Sequence, residues 1–328
     1  MKTFKWGIIG PGRIAQKFAD CVKGLPDAEV YAVASRSSLD LEALANRFAA
    51  KVAFNNYEAL VQDPAVDAVY IATPHRFHKE NALLCLTHAK PVMVEKAFAV
   101  NTREAESMTA AAKENNVFLM EAMWTRFLPI HRQVQRWIDD EKIGEVKYVA
   151  LSLGFIARRD LEDRLLNPAL AGGCVLDLGV YAVAVAQAIF KDSPKAISAQ
   201  GFIGETGVDE AINVGLDQGD GKFSQFFCSF LVKPSNRLEI FGTKGKITIH
   251  PLFNSSNTAI LTVNEKDKQV YLPHQINGFE YQIEEAQRCI RAGKLESPLM
   301  PWKDSLENMR VMDEIRRQIG VSYSFEKE

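Results

Sequence analysis

A chain of 328 residues is too long for one comfortable core and suits two domains. Hydrophobic residues make up 47% of it, enough to fill cores and too many for disorder. With 39 basic and 41 acidic side chains the net charge is −2, which gives no electrostatic case for nucleic acid or an anionic membrane surface as the main partner.

The first element is the short apolar run FKWGII (4–9), which reads as a buried strand. It ends at Gly10 and Pro11 before any signal-like apolar segment develops. GPGRIA (10–15) follows, and Ile14, Phe18, Cys21, Val22 and Leu25 then recur at helical spacing. A second strand-like run, AEVYAVA (28–34), closes a βαβ unit. In such a unit Gly10 permits the tight turn, Gly12 lets the backbone approach a pyrophosphate and Ala15 lets the helix pack on the sheet. The N–H groups of the first helical turn, from Arg13 and Ile14 on, face the phosphates. A strand-to-helix turn without a ligand is the alternative.

At the end of the second strand, where an NAD site usually has Asp or Glu, the chain has Ser35-Arg36-Ser37. A guanidinium pairs with phosphate in a planar, bidentate manner and the serines can donate to it. NADP is therefore expected ahead of NAD, the alternative being a solvent-facing Arg36 beside a serine helix cap. AVYIA (68–72), VMVE (92–95) and VFLM (117–120) continue as strands between helical segments, and Asn101 with Glu104 reads as a capping box for a helix through 115. The alternation predicts an α/β fold, a doubly wound parallel sheet of the Rossmann type, with ligands beyond the carboxyl ends of the strands. Thr73-Pro74-His75 and Glu95-Lys96 stand at such ends.

After Trp124 the pattern changes. A helix around 129–141 precedes the strand-like VKYVALSLGF (146–155), and an apolar helix spans about 175–190. From Val175 on, that run is too short to cross a bilayer and contains Asp177. Asp177 and Tyr181 lie four positions apart and share a helix face, where a buried carboxylate needs a partner or a cavity. Strand patterns dominate 196–272, and Phe279, Ile283, Ala286 and Ile290 mark one face of a C-terminal helix. The grouping predicts an α+β domain on a large, mainly antiparallel open-faced sheet, with domains at 1–122 and 123–328. In FSQFFCSFLV (223–232) both faces are apolar, so the second face packs either on another subunit, giving a homodimer, or under the protein's own chain. The five cysteines, odd in number and without a CxxC pair, read as reduced thiols of a cytoplasmic protein. His75 and His78 suggest no metal, because no carboxylate or cysteine cluster completes a site.

GPGRIA, TPHRFH (73–78), VEKAF (94–98) and AGGCVLDLGVY (171–181) fall in the order found in the Gfo/Idh/MocA oxidoreductases. EAMWTRF (121–127), ETGVDE (205–210), FGTKGKI (241–247) and ESPLMP (296–301) resemble its dimeric dihydrodiol dehydrogenases, a subgroup that includes NADP-dependent D-xylose dehydrogenases. The resemblance implies that Lys96 matches the lysine of the family's Glu-Lys-Pro motif, and that Asp177 and Tyr181 match the acidic and proton-transferring positions of its LDLGxY helix. It implies that Gly10, Gly12, Arg13, Ile14, Ser35, Arg36, Thr73, Pro74, His75, His78, Glu95 and Lys96 contact the cofactor. It places Trp124, Arg126 and Phe155 at the substrate. Read from the residues alone, Arg158, Arg159 and Arg164 form a solvated loop, or Arg164 reaches the substrate if that loop folds over the cleft. The chain departs from the motif at Ala97, where the family has proline. A cis bond costs about 3 kcal/mol before alanine, and a trans bond with a slightly different loop is expected to deliver the amine.

The implied enzyme is an NAD(P)-dependent dehydrogenase acting on CH-OH or CH-CH groups, its substrate a small diol, polyol or pyranose. Oxidising an alcohol needs a base. A free tyrosine, with a pKa of about 10, becomes usable beside an ammonium such as that of Lys96, with Asp177 balancing the charge or holding a second hydroxyl. The alternatives are a reductase of keto-sugars or diketones, or an NADP-sensing protein without turnover.

Overall fold

The structure is a computed structural model describing residues 2–37 and 40–327. Its first unit is Met1–Trp124 with Gln275–Leu306, and its second is Thr125–His274 with Glu307–Glu328.

In the first unit the strands β1 (Phe4–Ile9), β2 (Ala28–Ala34), β3 (Val52–Phe54), β4 (Ala68–Ile71), β5 (Val92–Glu95) and β6 (Leu119–Ala122) form one sheet in the order β3-β2-β1-β4-β5-β6. Every pairing is parallel. The helices α1 (Arg13–Lys23), α2 (Leu41–Phe48), α3 (Tyr57–Gln62), α4 (His78–Thr87) and α5 (Thr102–Glu114) connect them. This is the Rossmann order, whose switch point lies between β1 and β4. Trp6, Phe18 and Tyr70 are fully buried, with the Phe18 ring stacked 3.9 Å from that of Tyr70. Asn101 caps α5 by accepting from Glu104 N at 2.9 Å, while the Glu104 carboxylate reaches back to Val100 N. β6 starts two residues later than the apolar run suggests, because Val117 N still closes α5 onto Ala112 O.

The second unit begins with α6 (Pro129–Asp139) and β7 (Val146–Gly154). A π-helical segment, Val175–Gly179, runs into α7 (Val180–Phe190). Then follow β8 (Ala196–Ile203), β9 (Asp209–Gly219), β10 (Lys222–Ser229), β11 (Leu238–Gly242), β12 (Gly245–Ile249), β13 (Thr258–Val263) and β14 (Lys266–Tyr271). The eight strands form one sheet, β14-β13-β12-β11-β7-β10-β9-β8, antiparallel except where β7 meets β10. The two-residue alternation turns Val149, Leu151, Phe226 and Cys228 inward. The opposite face carries Tyr148 and Phe223, and Phe223 is 49% exposed, so the protein's own chain does not cover it.

The helical run containing Asp177, Val175–Phe190, has the span that the sequence pattern indicates. Together with the turn before it, the stretch Pro168–Phe190 has 23 residues and is apolar enough to cross a membrane by length and composition, yet 89% of its most apolar window is buried inside the protein. All five cysteines are buried and free.

Of the last helices, α8 (Glu280–Arg291) belongs to the first unit and α9 (Trp302–Ile319) begins there. Residues 275–306, which the sequence pattern assigns to the second domain, therefore cluster with the first. Cys21 Sγ lies 3.6 Å from Glu280, Arg291 pairs with Asp27 at 2.8 Å, and Trp302 Nε1 donates to Leu119 O. Helical periodicity shows that α8 has a buried face and not which sheet that face meets.

Candidate active site

Gly10 has φ +89°, and a Cβ there would stand 2.8 Å from Thr73 N, so the first turn against β4 admits only glycine. At Gly12 a Cβ would meet nothing within 4 Å. α1 then starts with Gly12 as N-cap, with no side-chain cap and no acidic residue in its first turn. Open space in front of uncapped helix N–H groups is what a pyrophosphate needs. Arg13 and Ile14 are exposed there, while Ala15 is buried against the sheet. The turn fits a nicotinamide dinucleotide.

At the end of β2, Ser35 is buried and Arg36 exposed. The Arg36 guanidinium lies 5.1 Å from the ring centres of both Tyr57 and Phe77, and pairs with Glu80 at 3.4 Å. Burial raises the Tyr57 pKa against the opposing charge of Arg36.

After β4, Thr73, Pro74 and His75 lead into a short 3-10 turn, with His75 only 7% exposed. His78 is fully buried. Its Nδ1 faces Ala97 O at 2.8 Å and its Nε2 faces Thr73 O at 2.9 Å. That corrects the expectation of a cofactor contact from this residue: its ring ties the backbone after β4 to the backbone after β5. Burial pushes its pKa down to about 4, against the two carbonyls.

At the end of β5, Glu95 accepts from the Tyr70 hydroxyl with one oxygen and from Lys96 N with the other. Lys96 is half-buried, and the Lys96–Ala97 peptide is cis, not trans as expected. The Lys17 ammonium, one turn into α1, sits 4.0 Å over Trp124 and 4.6 Å over Phe279. Burial lowers its pKa, opposed by Glu95. Trp124 is buried and meets Phe279 edge-on at 5.2 Å.

In the second unit, Asp177 lies in the π-helical segment and Tyr181 in the first turn of α7, so the four-residue spacing crosses the junction. Single π turns are frequent at functional sites. Both side chains are more than nine-tenths buried. Asp177 accepts from Arg164 at 2.9 Å, and that arginine comes from the loop before the helix. Arg126 donates to Gln187 of α7. Phe155 is 38% exposed and its ring lies 5.5 Å from that of Phe230.

Asp209, at the start of β9, is fully buried and accepts from Val175 N at 2.6 Å, which anchors the segment carrying Asp177. Burial raises its pKa to about 7, opposed by the Val175 N–H. Gly173 makes room for it, since a Cβ there would stand 2.3 Å from Asp209 Oδ1. Sequence reasoning missed Lys17, Tyr70, Glu80 and Asp209 as residues of the site. Only Asp209 left a signal, an acid opening an apolar strand.

The Gfo/Idh/MocA model of an oxidoreductase family with an NAD-binding Rossmann fold matches residues 4–123, and the GFO/IDH/MocA C-terminal domain model matches 131–248. The chain belongs to the Gfo/Idh/MocA oxidoreductase family. As a member it is a nicotinamide-dependent dehydrogenase. It is 36% identical to trans-1,2-dihydrobenzene-1,2-diol dehydrogenase of Mus musculus, over 99% of each chain. The human enzyme of that name is 31% identical, again over 99% of each. Among solved structures, a 3-ketoreductase from Actinomadura kijaniata in complex with NADP and TDP-benzene superposes with a TM-score of 0.86 at 25% identity, covering 97% of this chain and 98% of that one. An aldose-aldose oxidoreductase from Caulobacter crescentus reaches 0.88 at 24% identity over 97% of each chain, a likeness of fold. Among the described residues no group of three or more His, Cys, Asp or Glu side chains is arranged to hold a metal.

Proposed function

We propose that this Gfo/Idh/MocA oxidoreductase uses NADP to oxidise vicinal diols, either a trans-dihydrodiol or a pyranose of the D-xylose type. The observation that carries the reading is the buried Asp177–Tyr181 pair with Arg164 on Asp177 at 2.9 Å. A phenol four positions along the helical run from a carboxylate–guanidinium pair offers one group for a reacting hydroxyl and a donor and acceptor for its neighbour. The dihydrodiol dehydrogenase relatives support that substrate class.

The cofactor is held by Gly10, Gly12, Arg13 and Ile14 at the pyrophosphate and by Ser35 and Arg36 at the 2′-phosphate. Thr73, Pro74, His75, Glu95 and Lys96 serve the nicotinamide side. When bound, oxidised nicotinamide supplies the hydride acceptor. The chain's own task is the proton: Tyr181 takes it from the substrate hydroxyl as the carbon loses hydride, and the Lys96 ammonium favours the phenolate. Asp177 and Arg164 hold the adjacent hydroxyl, while Trp124, Arg126 and Phe155 shape the substrate space. Two copies pair through the outer face of the eight-stranded sheet around Phe223, and sedimentation of Phe223→Glu as a monomer would support that assembly.

The deciding experiment follows absorbance at 340 nm with NADP against trans-dihydrodiols, aldopyranoses and polyols. Tyr181→Phe should lower turnover by about 10²–10⁴-fold with NADP binding intact. A fully active variant would remove Tyr181 from the mechanism. Tight NADPH binding without turnover in either direction would replace the enzyme by a sensor.

A further inference from the structure

Arg36 is held more closely than a phosphate-reading arginine requires. Tyr57, the first residue of α3, and Phe77, just before α4, each lie 5.1 Å from its guanidinium. Both are close enough for cation–π attraction. The edge of the guanidinium is where it makes planar hydrogen bonds to phosphate or carboxylate. Nη1 on that edge already donates to Glu80 Oε1 at 3.4 Å, and Glu80 belongs to the first turn of α4. Both side chains are about half exposed, so a ligand can reach either one. The neighbouring cation, Lys79, is engaged elsewhere, with Glu104 at 3.5 Å.

We propose that Glu80 sets the cofactor ratio by competing with the ribose 2′-phosphate for Arg36. The inference rests on Arg36 meeting that phosphate. A 2′-phosphate must displace the carboxylate and then remain beside its negative charge. NAD carries a hydroxyl at that position, leaves the ion pair intact and can donate to the carboxylate, as it does to the acid of an ordinary NAD site. The Arg36–Glu80 pair thus gives each cofactor a partner, and the carboxylate restrains a preference that the arginine alone would make stronger.

The test is a double-mutant cycle on the full chain, with NADP and NAD each titrated by calorimetry at low and high salt. Glu80→Gln keeps the size and the hydrogen-bonding capacity and removes the charge. It should tighten NADP by about two- to fivefold at low salt, the scale of an exposed ion pair, leave NAD unchanged or slightly weaker, and lose much of the effect at 0.5 M salt, where the Debye length falls to roughly 4 Å. In the Arg36→Gln background the same substitution should change NADP affinity far less, because no guanidinium is left to release. An equal gain in both backgrounds would mean that Glu80 acts through its general field, and would overturn the competition. No change in the ratio with Glu80→Gln, while Arg36→Gln still abolishes NADP preference, would overturn the inference and leave the NADP reading standing. A ratio insensitive to Arg36→Gln would instead remove the NADP reading itself, and the inference with it.

Discussion

Asp209→Asn tests whether the anchor beneath the Asp177 segment behaves as its surroundings require. In the folded protein burial raises the Asp209 carboxyl to about 7, although Val175 N–H favours its charged form. In an unfolded chain an aspartate titrates at about 3.9. Between these values the folded state keeps a proton that the unfolded state has lost, so this group's contribution to stability falls as pH rises, by about 1.4 kcal/mol per pH unit. The contribution is fully present below about pH 4 and fully lost above about pH 7, a change of roughly 4 kcal/mol. Asparagine can still accept from Val175 N and does not titrate. Urea unfolding of both proteins from pH 4.5 to 8 should therefore give a stability difference, variant minus wild type, that climbs toward pH 7 and then levels. His78 and His131, both pushed down to about 4 by burial, contribute the opposite slope in both proteins and cancel in the difference. Parallel stability curves for the two proteins would refute a carboxyl held protonated by burial.

Arg316→Met should cost about 1–3 kcal/mol, because it removes a buried guanidinium that bonds Glu326 twice at 2.9 Å and Asp313 at 3.0 Å, while Glu326 keeps the Tyr323 N–H. A loss under 1 kcal/mol in denaturant titration would contradict that. Arg164→Gln should cost about 1–3 kcal/mol of stability, because the arginine side chain is 44% exposed but the Asp177 carboxylate it leaves behind is only 6% exposed. The same change should raise KM for the diol about tenfold through loss of a charged hydrogen bond, with NADP affinity unchanged. A matching fall in NADP affinity would show that Arg164 does not act at the substrate.

The glycine turn was legible because only a residue without Cβ fits at Gly10, and that demand is written in the local sequence. Asp177 and Tyr181 stood out because a carboxylate in an apolar helix is costly anywhere. The partner of Asp177 was harder to read. Arg164 lies thirteen residues away in a loop, and nothing in its neighbours announces an ion pair. Glu80 looks like an ordinary exposed residue in the first turn of a helix until Arg36 is seen against it. His78 allowed two readings in sequence, a cofactor contact and a histidine that packs or caps ahead of the following helix. In three dimensions both its nitrogens face backbone carbonyls, which supports the packing one.

By itself the sequence determined the alternation of strands and helices, the β1–α1 glycine turn and the two-faced β10, since periodicity and glycine placement act over a few residues. Tertiary structure alone decided that α8 clusters with the first unit, that Asp209 anchors Val175, and that Arg36 has Tyr57, Phe77 and Glu80 around it. Those contacts join residues from 21 to 264 positions apart. Which charge meets which across such separations depends on packing of whole elements, and no local pattern along the chain records it.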